Sequence, residues 1–417
     1  MNSFTAFLRA ALIDFLEYQT PKIVHIKDKR IGVLNRFIQL SIVLYVICYA
    51  IVWKKGYQEF DYVESSVTSK VKGVAFTNFS EDQFKHFINE SMREYYNRVW
   101  DVSDYIVPPE ENNAFFVTTN LIITPNQKLG ICPEDPSLKT AHCDPLNNTC
   151  VDGKTDLFGN GAQTGECVLS DREESVHVCQ IRAWCPVERD ELPLKNKTAL
   201  LAGTKNSTVL IKNSIKFSKF GVSLRNILKT TNETYLKKCR YNAFTDPQCP
   251  VFVLNDIVKA AGQDYDEISK SGAVIGIEIT WNCNLDFTVD YCVPVYSFRR
   301  LDEEHSMIAP GWNYRYSHYY SDRERTLFKA TGIKFSIIVN GQAGKLNFVP
   351  LFVNIGSGLG LLAITTIICD FIALYLTSAK KYYKEKKYLY VESVCNGEDV
   401  EPITVRKRSN VYETQAN

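Results

Sequence analysis

Two long apolar runs stand near the two ends of the chain and bracket most of it. Phe37 to Trp53 is 17 residues without a charge, and Leu346 to Cys369 is 24. Runs of this length are typical of membrane-spanning helices, the first at the short end of the range. The first run is no cleavable signal, because it starts late and follows a stretch with acidic residues. The sequence predicts a membrane protein with two transmembrane helices, at 34–54 and 346–376.

Basic residues flank the outer side of both runs. Positive charges next to a membrane helix mark its cytoplasmic end. They stand before the first run and after the second, at Lys22, Lys27, Lys29, Arg30, Arg36, Lys380, Lys381, Lys384, Lys386 and Lys387. We therefore expect a multi-pass plasma-membrane protein whose termini, 1–33 and 377–417, are cytoplasmic and whose middle, 55–345, is an extracellular domain.

The cysteines are concentrated between the two runs. Ten of the 13 lie there, at Cys132, Cys143, Cys150, Cys167, Cys179, Cys185, Cys239, Cys249, Cys283 and Cys292. An even set on the oxidising side of a membrane predicts five disulfides, whose pairing the spacing leaves open. Six of the ten fall within 131–186, which predicts a small stapled module with little core of its own. The others, Cys48, Cys369 and Cys395, are expected to be free thiols.

The N-glycosylation sequons follow the same distribution. All six lie between the runs, at Asn78, Asn89, Asn147, Asn196, Asn206 and Asn232. Together with the cysteines, this confinement disfavours the alternative in which the two apolar runs are buried core helices. The sequence has no Cys-x-x-Cys pair between the runs and no two histidines at ligand spacing, so it predicts no metal site.

Local patterns predict an extracellular domain rich in β-structure. Alternating apolar residues predict strands at Ala114–Thr124, Ala273–Trp281 and Ile333–Val339. A stripe at helical spacing predicts a helix over Glu81–Arg98. The chain has 48 basic and 47 acidic residues, and this balance argues against a nucleic-acid partner.

Cationic residues form three groups that suit an anion. Lys70 and Lys72 share one face of a strand and repel each other unless an anion lies between them. Asn313 and Arg315 repeat this spacing, and the arginine fork suits phosphate oxygens. Lys329 follows in the sequence. A solvated strand face is the simpler explanation of the lysine pair taken alone, and spacing does not join the three groups.

Polar and small residues interrupt the second apolar run. Asn354, Ser357 and three glycines lie inside it. Close helix packing through small residues is one explanation. The other is a pore helix on which Val353, Ser357 and Gly360 face water. Asp370, near the inner end, would be costly in lipid and is therefore expected to face protein or water.

Several motifs occur together in an order that is similar to that of one receptor family. They are Tyr18-x-Thr20-Pro21-Lys22, Lys70-Val71-Lys72-Gly73, Trp184-Cys185-Pro186-Val187-Glu188, Thr245-Asp246-Pro247, Trp281-Asn282-Cys283-Asn284-Leu285-Asp286 and Asn354-Ile355-Gly356-Ser357-Gly358, followed by Cys369-Asp370. With the order of the ten cysteines, they make the chain resemble the P2X receptors, the ATP-gated trimeric cation channels, from Tyr18 to about Tyr390.

The resemblance implies an architecture and an activity. It implies a homotrimer in membrane lipid, each subunit having two transmembrane helices and a large β-rich, disulfide-stapled extracellular domain. Extracellular ATP would be the agonist, and its binding would open a non-selective pore for Na+, K+ and Ca2+. No cofactor and no enzymatic activity are implied. Val353, Asn354, Ser357 and Asp370 would be pore or gate residues.

The resemblance also implies an ATP site between subunits. One subunit would supply Lys70, Lys72 and Thr208, its neighbour would supply Asn313, Arg315 and Lys329, and Leu210 and Val251 would pack near the nucleoside. The implied disulfides are Cys132–Cys185, Cys143–Cys167, Cys150–Cys179, Cys239–Cys249 and Cys283–Cys292. Tyr383-x-x-x-Lys387 resembles the family's surface-retention motif.

Three features depart from the family pattern. Tyr314 stands where the family has Phe between Asn and Arg, and the stretch from Arg315 to Lys329 is shorter than in well-known members. Thr208 also closes the sequon at Asn206, which would place a glycan near the nucleotide.

Proteins of other classes share parts of this plan. A membrane ecto-nucleotidase would need paired phosphate loops and catalytic carboxylates, which the sequence lacks. The glycines of 159–165 lack the strand-to-helix context of a phosphate loop and are better explained as a flexible loop. A degenerin-type sodium channel should carry His-Gly before the first span, where this chain has His25-Ile26. A non-conducting adhesion protein would leave the polar second span unexplained.

Overall fold

The computed structural model describes residues 29–109, 111–196, 198–227, 231–303, 311–378 and 380–387. The Tyr18-x-Thr20 motif and Cys395 lie outside these residues. The chain divides into two compact units. We call Gln58–Leu346 the sheet unit, and Met1–Tyr57 with Asn347–Asn417 the helical unit.

The helices are distributed over both units. In chain order they are α1 (Lys29–Leu44), α2 (Glu90–Tyr96), α3 (Val102–Tyr105), α4 (Glu233–Lys238), α5 (Leu254–Ala260), α6 (Tyr265–Ser271), α7 (Phe348–Phe371) and α8 (Lys380–Lys387). Two π-helical segments, Tyr45–Trp53 and Ile372–Leu376, continue α1 and α7.

The strands all belong to the sheet unit. They are β1 (Gln58–Tyr62), β2 (Glu64–Lys72), β3 (Ala75–Phe76), β4 (Val99–Trp100), β5 (Ala114–Pro133), β6 (Ala162–Leu169), β7 (His177–Cys185), β8 (Thr208–Phe217), β9 (Val222–Arg225), β10 (Val251–Val253), β11 (Ala273–Asn284), β12 (Val295–Arg300), β13 (Asn313–Ser321) and β14 (Glu324–Leu346).

Among the residues that the structure describes, these strands form two main sheets. The larger has the order β12-β11-β14-β5-β7-β6, and β1 and β13 also pair with β14. The smaller has the order β10-β8-β2, with β9 paired to β8. β11 and β14 run parallel, whereas the other pairs of both sheets are antiparallel.

The core of the sheet unit is built around β14, which pairs with β1, β5, β11 and β13. Its central part and the adjoining part of β11 bury their apolar side chains; Ile275, Trp281 and Phe335 are at most 1% exposed. Branched and aromatic side chains suit such a pleated, packed surface. The three strands predicted from alternation are confirmed, as parts of β5, β11 and β14.

The predicted helix over Glu81–Arg98 is wrong in its extent. Only Glu90–Tyr96 forms an α-helix. Phe84 instead makes a backbone bridge to Leu194, which holds it in extended geometry. The helix begins after Asn89, whose side chain accepts the N–H of the third helical residue. A pairing to a distant segment therefore overrides the local helical periodicity.

Disulfides staple the sheet unit at five places within its described residues. They are Cys132–Cys185, Cys143–Cys167, Cys150–Cys179, Cys239–Cys249 and Cys283–Cys292. These are the pairs that the family resemblance implies. Cys48 and Cys369 are free thiols.

The helical unit contains two helices long and apolar enough to cross a membrane. Lys29–Trp53 has 25 residues and Phe348–Leu376 has 29, and most of their apolar side chains are exposed. The two helices pack closely where Gly358 meets Val46. A Cβ at position 358 would lie 3.0 Å from the Val46 Cγ1 atom, so a small residue allows this approach.

Candidate functional site

The first group of predicted ligands lies on one face of the smaller sheet. Lys72 is opposite Thr208 across β2 and β8, and Lys70 is opposite Leu210 in the next row. Val251 of β10 extends that row. Residues directly opposite each other in a β-ladder project from the same face. The structure therefore brings these five side chains together, and we call them the lysine face.

Close backbone packing fixes the end of β2. A Cβ on Gly73 would lie 2.1 Å from the Ser207 Oγ atom, so a side chain there would collide. The Tyr105 hydroxyl donates to the Gly73 carbonyl at 3.1 Å and also lies 3.1 Å from Ser207 Oγ. Burial raises the pKa of Tyr105. These contacts hold Lys72 beside the start of β8.

The second group of predicted ligands lies on the β13–β14 hairpin of the larger sheet. Arg315 is directly opposite Lys329, and Asn313 is opposite Thr331. We call Asn313, Arg315 and Lys329 the arginine face. Like charges directly opposite each other destabilise a sheet, so this pair of cations requires an anion nearby.

Two carboxylates from the segment after β7 meet that requirement. Glu188 accepts hydrogen bonds from Arg315 Nε at 2.7 Å and from Arg315 Nη2 at 2.8 Å. Asp190 accepts a short hydrogen bond from Lys329 Nζ. The Glu188 side chain is 7% exposed, and its hydrogen bonds raise the pKa of Arg315. The arginine face is thus neutralised by acids of its own chain.

The lysine face differs from the arginine face in its lack of compensating acids among the described residues. Lys70 and Lys72 are exposed, and in the described part of the chain no acid forms an ion pair with either lysine. The two faces also belong to separate sheets. One face therefore offers uncompensated positive charge, while on the other an external anion must share Arg315 with Glu188 and compete with Asp190 for Lys329.

Sequence reasoning missed the role of these two acids. Glu188 is the last residue of the Trp184–Glu188 motif, but nothing in its spacing from Arg315 indicated an ion pair between the two. The two residues are 127 positions apart, and Asp190 is 139 positions from Lys329. The sequence carried no signal for these pairs, because the opposition of Arg315 and Lys329 that calls for counter-charge is itself known only from the fold.

Tyr314 lies on β13 between Asn313 and Arg315, and its side chain points into the protein. Its ring packs edge-on against Phe116, with centroids 4.9 Å apart. Its hydroxyl oxygen is buried and has no hydrogen-bond partner among the described residues. Burial raises the pKa of this phenol. The inward orientation of Tyr314 is what leaves Asn313 and Arg315 on the outer face of the strand.

The predicted pore residues all lie on α7. Val353 is 65% exposed, and Ser357 is exposed with its hydroxyl donating to the Asn354 carbonyl at 2.9 Å. Asn354 is half-buried, and its amide donates to the Gly56 carbonyl at 2.7 Å. Asp370 is half-buried near the end of the helix. Within one chain, Asn354 thus ties α7 to the segment after α1, whereas Val353 and Ser357 remain accessible.

The six sequon asparagines are all exposed. Asn89 and Asn232 cap α2 and α4 through their side-chain oxygens, which leaves each amide nitrogen on the surface. Asn206 lies two residues before Thr208, which begins β8 and belongs to the lysine face.

The chain is similar to known proteins over most of its length. The family model described as ATP P2X receptor matches residues 16–390. The chain is 47% identical over 389 residues to P2X purinoceptor 4 of Mus musculus, covering 91% of this chain and 95% of that protein. It is 39% identical over 396 residues to P2X purinoceptor 5 of Mus musculus, covering 94% and 83%.

Solved structures give the same result. A P2X receptor from the Gulf Coast tick, crystallised in the presence of ATP and Zn2+, aligns with a TM-score of 0.77 and 51% identity, over 82% of this chain and 100% of that one. The chicken ATP-gated P2X7 receptor channel, with the competitive antagonist TNP-ATP, aligns with a TM-score of 0.69 and 37% identity, over 82% and 99%. The chain therefore belongs to the ATP P2X receptor family, the ATP-gated cation channels of the plasma membrane.

Proposed function

We propose that this chain forms a homotrimer that binds extracellular ATP between neighbouring subunits and then conducts Na+, K+ and Ca2+. The observation that carries the proposal is the division of the predicted ATP-binding residues between two faces on separate sheets. The lysine face of one subunit would meet the arginine face of the next. Such a repeated head-to-tail contact closes into a ring when the rotation allows it.

The chemistry of the two faces fits a nucleoside triphosphate. ATP carries about four negative charges, and Lys70, Lys72, Arg315 and Lys329 supply charge-assisted donors for them. Thr208 would hydrogen-bond the base, with Leu210 packing against the nucleoside. Val251 is 7% exposed and lies in the cluster against which Leu210 packs, so it would support this surface through Leu210.

Binding and gating would be linked through charge. Without ATP, Lys70 and Lys72 on the lysine face are uncompensated and repel each other, whereas Glu188 and Asp190 neutralise the arginine face. The triphosphate would remove this repulsion and join the two faces, displacing Asp190 from Lys329 and binding the outer side of the Arg315 guanidinium while Glu188 stays on Nε and Nη2. ATP thus binds the closed cleft more tightly than the open one, and only such a difference in affinity can shift the equilibrium of the gate.

The pore would lie along α7 of each subunit. Val353 and Ser357 would face the central axis, with Asn354 holding α7 in place through its bond to the Gly56 carbonyl. The remaining apolar surfaces of the two long helices would contact lipid. Residues 34–54 and 346–376 would be the transmembrane segments, 55–345 the extracellular domain with its head module at 131–186, and 1–33 and 377–417 the cytoplasmic termini. The sequons would carry glycans outside the cell.

A recording from cells that express this chain alone tests the proposal. ATP should evoke a non-selective cation current, and purified protein should not hydrolyse ATP above background. The Lys72→Ala variant, at equal surface expression, should need far more ATP than the wild type. ATP turnover by purified protein combined with electrically silent membranes would overturn the proposal in favour of an ecto-enzyme.

A further inference from the structure

The acids that occupy the arginine face are carried by a segment that a second segment holds in place. We call Pro186–Leu194 the acidic strap, because it contains Glu188, Asp190 and Glu191. We call Ser80–Asn97 the brace; it includes α2 and covers most of Glu81–Arg98, whose predicted helix was wrong in its extent.

Backbone hydrogen bonds join the brace to the far end of the strap. The Lys85 N–H donates to the Pro193 carbonyl at 2.9 Å, and the Lys195 N–H donates to the Gln83 carbonyl at 2.9 Å. Phe84 and Leu194 form the bridge between these bonds, and both side chains are buried. The strap is therefore paired to the brace like the edge of a short sheet.

Side chains add a second set of contacts next to the acids. Lys85 Nζ donates to Glu191 Oε2 at 3.0 Å, and the Arg189 guanidinium lies 3.1 Å from the same carboxylate. Arg189 also stacks on the ring of Phe87, 4.0 Å from its centroid. Asp190, the partner of Lys329, lies between Arg189 and Glu191 in sequence. Both of its neighbours are thus held by the brace.

The brace itself is fixed in the core of the sheet unit. Phe84, Ile88 and Tyr96 are at most 6% exposed. The Tyr96 hydroxyl oxygen accepts the N–H of Ile123 on β5 at 3.0 Å. A segment anchored in this way is a rigid support and not a loop that follows the strap.

The near end of the strap has a different support. Arg172 of the head module donates to the Val187 carbonyl at 2.6 Å, and Gln127 of β5 donates to the Pro186 carbonyl at 2.8 Å. These bonds hold the backbone around Glu188. Asp190 therefore depends on the brace, whereas Glu188 depends on β5 and the head module.

We propose that Lys85 and Phe87 are positioning residues for the ATP site, which hold Asp190 on Lys329 and thereby lower the affinity for ATP. The inference rests on the proposed function. Neither residue would touch ATP. Each keeps a competing carboxylate in place, so that the triphosphate must displace a held anion and not a mobile one. Loosening the acidic strap should weaken the contact of Asp190 with Lys329, so that ATP binds Lys329 more readily.

Labelled-ATP binding to the purified full-length protein tests this role. Lys85→Met keeps the apolar stem but removes the ion pair, and should lower the Kd for ATP about two- to fivefold, the range of a partly exposed pair. Phe87→Leu, which removes the stacked ring, should act in the same direction. Lys237→Met is the matched control, because it breaks the exposed pair with Glu233 within α4; it should leave the Kd unchanged.

The Asp190→Asn variant, used as a second background, separates a positioning role of Lys85 from a general loss of structure. Asp190→Asn should itself lower the Kd, and adding Lys85→Met to it should have no further effect, because the competing carboxylate is already gone. If Lys85→Met fails to fold, Glu191→Gln breaks the same pair from the strap. An unchanged or raised Kd for the single variants, while the wild type binds ATP, would overturn the positioning role; failure of the wild type to bind ATP would instead overturn the proposed function.

Discussion

Removal of Arg315 is expected to raise the Kd for ATP by more than the loss of one phosphate contact would. Arg315→Ala deletes a forked donor, and a charge-assisted contact is worth about 1.5–3 kcal/mol. The variant also leaves Glu188 without its partner, and this carboxylate is only 7% exposed. It would then lie beside the triphosphate as an uncompensated negative charge.

The size of this second effect follows from the distances. A phosphate on the outer side of the guanidinium would be about 6–7 Å from the carboxylate, which at a dielectric intermediate between water and protein gives roughly 1–2 kcal/mol of repulsion. The two effects together amount to about 2.5–5 kcal/mol, or a Kd raised roughly a hundredfold or more. Glu188→Gln in the Arg315→Ala background keeps the side-chain shape and removes the repulsion, so it should recover about five- to thirtyfold of that loss.

Equilibrium binding of labelled ATP to surface-expressed protein measures both variants. Lys212→Ala is the matched control. Lys212 lies on the lysine-bearing side of β8, opposite Thr68 and one row beyond Lys70, so it reports a general positive field and should change the Kd far less. Equal affinities of the single and double variants would refute the reasoning, because Glu188 would then not face the bound phosphates.

Three further outcomes are expected. Cysteines introduced at Ser357 and Val353 should react with a water-soluble thiol reagent faster when ATP is present; equal, slow reaction in both states would remove these positions from the pore. Tyr314→Phe removes a buried hydroxyl without a partner in the described structure and should stabilise the protein by about 1 kcal/mol, seen as a higher Tm. Burial raises the pKa of Tyr96 and Tyr296 to about 12 from 10.0. Because the folded state then keeps protons that the unfolded state releases, their contribution to stability is intact below pH 10 and is lost as the pH rises towards 12, so the Tm should fall across this window.

Patterns with a local cause were predictable from the sequence. Alternation in β5, β11 and β14 reflects which side chains are buried, so the strands could be predicted without knowing their partners. The two apolar helices could be predicted from the length of the apolar runs and from the lack of charged residues in them. The i, i+2 spacing of Lys70 and Lys72 was enough to place both on one face, and the register with Thr208 explains why the resemblance to the family joined these residues.

Features that depend on distant pairing could not be predicted in this way. Phe84 belongs to a helical stripe in sequence, but Leu194 draws it into a bridge. The sequence around Glu188 and Asp190 indicated no partner for either acid, because only the fold brings them to Arg315 and Lys329. Local spacing carries no information about such partners, and the electrostatic state of the arginine face depends on them.

The division of the ATP site between subunits is the central claim, and a mixture of two variants tests it most directly. Lys72→Ala subunits and Arg315→Ala subunits, expressed together, can form one intact cleft per mixed trimer, where a wild-type lysine face meets a wild-type arginine face. A site confined to one subunit would leave no intact cleft in any mixture. We predict that labelled ATP binds with wild-type affinity to a fraction of sites in the mixture and to neither variant expressed alone. Absence of such binding in the mixture, with co-assembly confirmed by cross-linking, would contradict the account.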